Sequence, residues 1–151
     1  MMKQEPWVIR RAEEADAGAI AALAGQLGYP TTTGQAAERL SDVLSSSRDA
    51  VFVGERNGAV MAWLHVHGIH CLLSDPFGDV SGLVVDASAR RSGLGTALLD
   101  HAVAWTREQG YRKLRIRTNI IRTDAHRFYE KHGCRLAKTQ HVYEITITEP
   151  R

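Results

Sequence analysis

The sequence has few cysteines, little net charge and no long apolar run. Its 151 residues include only two cysteines, Cys71 and Cys134, which lack the spacing of a metal site. This favours a reduced, cytoplasmic protein over a disulfide framework. The formal charge of +2 is too small to indicate nucleic acid or an anionic membrane as a partner. No segment approaches the ~20 apolar residues of a membrane span, and residues 1–11 lack the apolar core of a signal peptide. We therefore expect a cytoplasmic protein with no nucleic-acid partner and no membrane partner.

What is present is a succession of alternating and helical apolar patterns, which predict one mixed α/β domain over residues 1–151. The pair Asn57-Gly58, flanked by two alternating segments, is a strong hairpin signal. The predicted strands are Trp7–Arg10, Val51–Arg56, Ala59–His67, Phe77–Val85, Leu114–Thr118 and Val142–Thr148, with a short one near Leu136. The predicted helices run from Asp16 to about Leu27, from about Gly34 to Leu44, from Leu94 to Gly110, and from Thr123 or Asp124 to His132.

The most informative stretch is Ser81–Asp100, in which a strand leads through a glycine-bearing turn into a helix. The first amides of a helix have no intrahelical acceptor and lie at the positive end of the macrodipole, so they attract anions. Gly93 and Gly95 remove side chains that would keep a phosphate away, and Arg90 and Arg91 add two guanidinium groups. The stretch predicts a pyrophosphate-binding turn, with an ordinary capped turn as the alternative.

Two motifs point to one family. The spacing Arg-x-x-Gly-x-Gly at 90–95 resembles the pyrophosphate signature of the GCN5-related N-acetyltransferases (GNAT). It has neither the three glycines of a dinucleotide fingerprint nor the Gly-Lys-Ser/Thr of a P-loop. The segment Ala-x-x-Phe-Tyr-Glu-Lys-x-Gly at 125–133 resembles the late motif of the same family. Two spaced motifs in the right order are far more specific than either alone.

The resemblance implies a fold and an activity. The fold is a central, mostly antiparallel twisted sheet of about six to seven strands, with about four flanking helices and a fourth strand that splays from the fifth. The activity is direct transfer of the acetyl group of acetyl-CoA to a primary amine of a small molecule, without a metal. The alternatives are a protein lysine or N-terminal acetyltransferase and a non-catalytic acyl-CoA sensor. The oligomeric state is left open, and a homodimer is the alternative to a monomer that the resemblance suggests.

The resemblance also implies the residues that contact acetyl-CoA. A bulge is expected at Ser81-Gly82, because glycine inside a strand is a bulge signal. Many family members carry an asparagine where this chain has Arg122, and Asn119 is the nearest asparagine. A contact from Arg122 to a phosphate or to the pantetheine arm is expected there, with an ordinary helix-start arginine as the alternative; the choice between Arg122 and Asn119 stays open. The expected cofactor-binding residues are Leu83, Val84, Val85, Arg90, Arg91, Ser92, Gly93, Leu94, Gly95, Thr96, Arg122 and Tyr129.

The transfer needs a general acid for the departing thiolate and a base for the substrate ammonium. By resemblance Tyr129 is the acid, and packing beside Phe128 is its alternative role. For the base, Asp79 on the fourth strand is one candidate, and His65 or His67 on the third strand is another. His65, His67 and His70 do not predict a metal site, because no carboxylate or thiol other than Cys71 completes the set.

Overall fold

The computed structural model of the chain describes residues 5–118 and 122–148, which form five strands and four helices. The strands are β1 (Val8–Arg11), β2 (Asp49–Arg56), β3 (Ala59–Ile69), β4 (Phe77–Val85) and β5 (Leu114–Ile116). The helices are α1 (Ala17–Gln26), α2 (Thr33–Leu44), α3 (Leu94–Glu108) and α4 (Thr123–Lys131), with 3-10 turns at Glu14–Asp16 and Ala87–Ala89. Within these two ranges no helix has the length and hydropathy needed to cross a bilayer. The chain divides into two compact units, Met1–Arg117 with the sheet and the first three helices, and Thr118–Arg151 with α4.

The sheet has the order β1-β2-β3-β4-β5, with antiparallel pairing from β1 to β4 and parallel pairing between β4 and β5. The predicted hairpin joins β2 to β3. Asn57 and Gly58 have φ values of 53° and 78°, as the two central residues of a tight hairpin turn require. The mixed α/β class and the mostly antiparallel sheet are therefore confirmed.

The two faces of the sheet differ in chemistry because side chains alternate along each strand. On β3, Ala62, Leu64 and Val66 are fully buried. The alternate residue Trp63 packs against the core that α1 and α2 form over β2. His65 and His67 follow Trp63 at the same two-residue period, so they lie on the α1 and α2 side of the sheet. One face is apolar and the other carries titratable groups, as the alternation predicts.

The fourth strand is irregular where the sequence predicts a bulge. In the β3–β4 pairing His65 lies opposite Gly82 while Val66 lies opposite Val80, so Ser81 is the extra residue. The parallel pairing of β4 with β5 ends at the pair Val80 and Ile116, although β4 continues to Val85. The bulge and the splayed strand pair thus coincide, and the last residues of β4 have one edge without a strand neighbour among the described residues.

The strand count is lower than predicted. Residues 134–148 contain no strand, so neither the Val142–Thr148 strand nor the short one near Leu136 forms. The apolar side chains of this segment, among them Tyr143 and Ile145, are about nine-tenths exposed (90% and 87%). Alternation predicts that a segment is suited to an extended conformation, but a strand also needs a hydrogen-bonded neighbour. The described residues of the Thr118–Arg151 unit provide none.

Candidate active site

The turn between β4 and α3 is held from two sides. The Asp86 carboxylate accepts hydrogen bonds from the Ser88 amide (2.9 Å) and the Ser88 hydroxyl. Gln26 of α1 donates to Asp86 Oδ1 (2.7 Å) and accepts from the amide of Ala87 (3.0 Å). The bonds from Ser88 and Gln26 hold the pKa of Asp86 below its usual value. The start of the turn is therefore tied to α1.

The first turn of α3 is open to an anion. Gly93 is the N-cap residue with φ of 87°, a conformation that favours glycine, and no side chain caps the helix. The amides of Leu94, Gly95 and Thr96 therefore lie at an uncapped, electropositive helix end. The Leu94 side chain is fully buried, so only its amide can meet a ligand. The Leu94 side chain packs against Gly54, so closely that a Cβ added at Gly54 would collide with Leu94 Cδ1.

The cationic groups of the turn are accessible. Arg90, Arg91, Ser92 and Gly93 are all exposed. Arg91 has φ of 61°, which is uncommon for a residue with a side chain. Ser92 uses its hydroxyl to donate to the carbonyl of Ala89 (2.5 Å). The turn thus presents two guanidinium groups and bare backbone amides together, which suits a diphosphate.

A cleft of about 310 Å³ opens beside this turn. The Arg56 guanidinium lies over the Trp7 ring at 3.6 Å from its centroid. Sequence reasoning did not identify either residue as part of a site. Trp7 precedes β1 and Arg56 ends β2, and it is the pairing of the strands in the sheet that brings both residues beside the turn. The lining residues are Trp7, Arg56, Asn57, Met61, Ser88, Ala89 and Ser92.

The backbone of β4 past the bulge has a defined orientation. The amide of Asp86 donates to the carbonyl of Met61 on β3 (2.8 Å). Because backbone groups alternate between the two neighbours in an antiparallel ladder, the amide of Val84 also points to β3. The amides of Leu83 and Val85 then point to the opposite edge, where β5 has diverged. The Val84 side chain is buried in the core.

Asp79 is buried and already paired. Its side chain is 3% exposed, and it lies opposite His67 in the β3–β4 pairing. Asp79 Oδ2 bonds His67 Nε2 (3.1 Å), and Oδ1 accepts from Arg117 Nε (3.1 Å). Arg117 was not predicted as a site residue, because the β4–β5 pairing that brings it near Asp79 is not visible in the sequence. With both oxygens engaged, Asp79 can orient His67 more readily than it can accept a proton from a substrate.

His65 joins two groups that sequence reasoning also missed. Its Nε2 lies 2.7 Å from Asp49 Oδ1, and its Nδ1 lies 3.0 Å from Ser81 Oγ. The rings of His65 and His67 lie 5.4 Å apart. The His70 ring bonds the Tyr111 hydroxyl. Within the described ranges no three His, Cys, Asp or Glu side chains converge in the way a metal ion requires.

The predicted acid, Tyr129, lies on α4. Burial raises its pKa, and the Arg122 guanidinium acts in the opposite direction. The Phe128 ring meets the Tyr129 ring edge-on at 5.3 Å between centroids. Arg122 is the exposed N-cap residue of α4 and makes no side-chain cap hydrogen bond. Asn119 lies outside the described residues.

Comparisons with known proteins agree with this architecture. A model of the acetyltransferase (GNAT) family matches residues 17–134. The chain is 32% identical over 139 residues to aminoglycoside N(6')-acetyltransferase type 1 of Stenotrophomonas maltophilia, which covers 89% of this chain and 88% of the relative. It is 35% identical over 79 residues to aminoalkylphosphonate N-acetyltransferase of Salmonella typhimurium, 52% of this chain and 51% of the relative.

The fold also matches a solved structure. The aminoglycoside N-acetyltransferase AAC(6')-Iy in complex with CoA superimposes with a TM-score of 0.88 at 16% identity, covering 97% of this chain and 99% of that one. At this identity the match establishes the fold. Together with the family match over most of the chain, the expectation of acetyl-CoA as co-substrate and of N-acetyltransfer is confirmed. The chain belongs to the acetyltransferase (GNAT) family, as an acetyl-CoA-dependent N-acetyltransferase.

Proposed function

We propose that this protein transfers the acetyl group of acetyl-CoA directly to a primary amine of a small molecule. One observation carries the choice of a small acceptor: the 32% identity to an aminoglycoside acetyltransferase that extends over 88% of that relative. The second relative is named for a different small amine, an aminoalkylphosphonate. An amino sugar or a related amino compound is therefore the substrate class we propose.

The turn before α3 carries the cofactor in this proposal. The pyrophosphate of acetyl-CoA lies against the amides of Gly93, Leu94, Gly95 and Thr96, where the helix end is uncapped. Arg90, Arg91 and Ser92 are exposed around the same amides and supply charge and a hydroxyl. The bonds between Gln26, Asp86 and Ser88 support this proposal, because they tie the start of the turn to α1.

The free edge of β4 receives the thioester arm. We propose that the amides of Leu83 and Val85 donate to the pantetheine arm and to the acetyl oxygen, because both point away from β3. A fixed amide aimed at that oxygen stabilises the charge that develops on it during transfer. Val84 contributes by packing in the core rather than by its amide.

Tyr129 supplies the proton for the leaving thiolate. Because burial raises its pKa, the phenol stays protonated at neutral pH and keeps a proton to give. The departing thiolate, whose conjugate thiol has a pKa of about 8.5, is a weaker base than a phenolate. The phenol therefore donates its proton only if its hydroxyl reaches the sulfur as it departs. We assign Arg122 to the cofactor side of α4, where its charge acts on the same phenol.

The base lies on the β3–β4 face. We assign Asp79 a positioning role toward His67, since it is buried and bonded to His67 and Arg117. His65 is the base candidate with an open route to solvent, through Ser81. This division follows from burial, because the Asp79 side chain is 3% exposed whereas His65 is bonded to the exposed Ser81.

The test measures the rate at which free CoA is released in the presence of each amine of a panel, with a thiol reagent to detect the CoA. The panel holds an aminoglycoside, an aminoalkylphosphonate, a polyamine and a lysine peptide. We expect saturable turnover with at least one small amine and none with the peptide. Turnover with the peptide alone contradicts the small-molecule proposal. Binding of acetyl-CoA with no turnover on any amine favours the sensor alternative.

Tyr129→Phe separates binding from chemistry in the same assay. The variant keeps the ring and removes the hydroxyl, so acetyl-CoA should bind as in the wild type while kcat falls by about a hundredfold or more. Tyr143→Phe is the matched control, because that phenol is 90% exposed and outside the proposed site. Equal losses in the two variants contradict the acid role of Tyr129.

A further inference from the structure

We propose that Ser81 is the catalytic residue that accepts the proton of the substrate amine, and that His65 and Asp49 form a relay behind it. This inference rests on the proposed function, since it concerns deprotonation of the acceptor. Neither Ser81 nor Asp49 was a predicted site residue. The three side chains come from three adjacent strands, β4, β3 and β2.

The hydrogen-bond directions in the chain follow from Asp49. Burial works to raise the pKa of Asp49, but hydrogen bonds from Ser46 and His65 outweigh it and hold the pKa below its usual value. Asp49 is therefore an ionised carboxylate at neutral pH and can only accept. His65 must then donate from Nε2, over 2.7 Å. In a neutral imidazole this leaves Nδ1 as an acceptor, so the Ser81 hydroxyl donates to it over 3.0 Å.

The arrangement leaves one outlet for a proton. Both ring nitrogens of His65 are engaged, and the side chains of His65 and Asp49 are only 23% and 18% exposed. Ser81 is exposed, so its hydroxyl is the end of the relay that a ligand can touch. It stands on the bulge of β4, directly after Val80, where the pairing with β5 stops. The relay thus opens where the proposed acetyl site begins.

The proton balance is complete without another reactant. The substrate ammonium loses a proton to Ser81 Oγ while Ser81 passes its own hydroxyl proton to His65 Nδ1. The resulting imidazolium is stabilised by the Asp49 carboxylate beside Nε2. The free amine then attacks the acetyl carbon; the C–N bond forms, the C–S bond breaks, and the thiolate takes its proton from Tyr129. The nitrogen loses its second proton as the amide forms, and that proton restores the Tyr129 phenol through water. The imidazolium returns its proton to water through Ser81.

The other charged groups near His65 do not compete for this role. His67 faces His65 across 5.4 Å between ring centroids, and it is bonded to Asp79. Asp79 is held by Arg117 as well. These groups form a second network on the same face. Among the described residues the hydrogen bonds of His67 and Asp79 include no hydroxyl group, whereas His65 is bonded to the exposed Ser81 hydroxyl.

The test compares Ser81→Ala, Ser81→Thr and the control Ser74→Ala. Ser74 is an exposed serine in the loop before β4 and lies outside the proposed site. At pH 7 we expect Ser81→Ala to lose about tenfold to hundredfold in kcat with an unchanged KM for acetyl-CoA. Ser81→Thr keeps the hydroxyl and should retain most of the activity. Ser74→Ala should match the wild type.

The pH profile separates a proton role from a structural one. As the pH approaches the amine pKa of about 10, the substrate no longer needs a proton acceptor. The deficit of Ser81→Ala should therefore shrink toward high pH. A deficit that stays constant across the profile, or a Ser81→Ala variant as active as the wild type at every pH, overturns the relay.

A second readout does not depend on turnover. Nitrogen-15 NMR of the histidine rings reports the tautomer directly, and the relay predicts a neutral His65 protonated at Nε2. A neutral His65 ring whose proton is on Nδ1 overturns the relay. If the wild type acetylates no amine, the proposed function fails while the tautomer still reports the hydrogen-bond chain. If the wild type is active and the Ser81 variants behave as Ser74→Ala does, the relay alone fails.

Discussion

Replacing Gly93 by alanine tests the anion site at the start of α3. Gly93 has φ of 87°, and a Cβ added there meets no atom within 4 Å. The change therefore introduces backbone strain without a steric clash. Gly110, just past the other end of α3, has φ of 85° and the same empty surroundings. Gly110→Ala is thus a matched control, because it introduces the same strain far from the turn.

The expected magnitudes differ between stability and binding. Holding an L-residue in the left-handed region costs about 1–2 kcal/mol, so both variants should lose about 2–8 °C in Tm. Only Gly93→Ala places a methyl group beside the anion-binding amides or turns them away from the ligand. Loss of one hydrogen bond to a charged phosphate weakens binding by about tenfold to hundredfold.

Two measurements are made on each variant. Thermal unfolding, monitored by tryptophan fluorescence, gives the Tm, and calorimetric titration of the folded protein with acetyl-CoA gives the affinity. We expect equal losses of Tm in the two variants and weaker binding in Gly93→Ala alone. Equal affinity in Gly93→Ala and Gly110→Ala refutes the assignment of the phosphate to this turn. Unequal losses of Tm refute the strain argument.

Three further perturbations test other parts of the structure. Asp16→Asn removes the carboxylate that accepts two bonds from Arg10 (2.8 and 2.9 Å) and should cost about 1.5–3 kcal/mol in urea unfolding at pH 7. The Arg10 bonds hold the pKa of Asp16 below its usual value, so this stabilisation is present above about pH 4 and is lost as the pH falls through the lower folded pKa. The stability gap between wild type and Asp16→Asn should therefore close in acid, and a constant gap contradicts the ion pair. Gly82→Ala would place a Cβ 2.6 Å from Trp63 Cζ3, so the free energy of unfolding should fall by about 1–3 kcal/mol. An unchanged free energy of unfolding shows that the ring can move. Since burial raises the pKa of Tyr129, the loss of activity on its ionisation should appear only above about pH 10 in the kcat profile, and a fall at lower pH contradicts its burial.

Local signals predicted the backbone features around the proposed cofactor site. The hairpin at Asn57-Gly58, the turn with Gly93 and the bulge beside Gly82 each depend on backbone conformations that few residues adopt. Such positions can be read from the sequence without knowing what surrounds them. The late strand at Val142–Thr148 is different, because alternation describes one strand and says nothing of its neighbour. That prediction was wrong in the described structure.

The relay could not be predicted because it depends on strand register. Regular pairing extended from Arg56 and Ala59 would place Asp49 opposite Val66 on the apolar face. A register shift between Gly54 and Glu55 moves the pairing by one residue and brings Asp49 opposite His67 instead. A one-residue slip moves a side chain relative to every cross-strand partner. Gly54 inside the strand is a bulge signal, but the signal does not give the pairing register on either side of the bulge.

The central claim is that the amides at the start of α3 bind the pyrophosphate of acetyl-CoA. Backbone amide NMR during titration with acetyl-CoA tests it most directly, since each amide reports its own hydrogen bond. We predict the largest shifts at Gly93, Leu94, Gly95 and Thr96, smaller ones at Leu83 and Val85, and none at Gly110. Saturable binding that leaves the amides of residues 93–96 unmoved contradicts the claim.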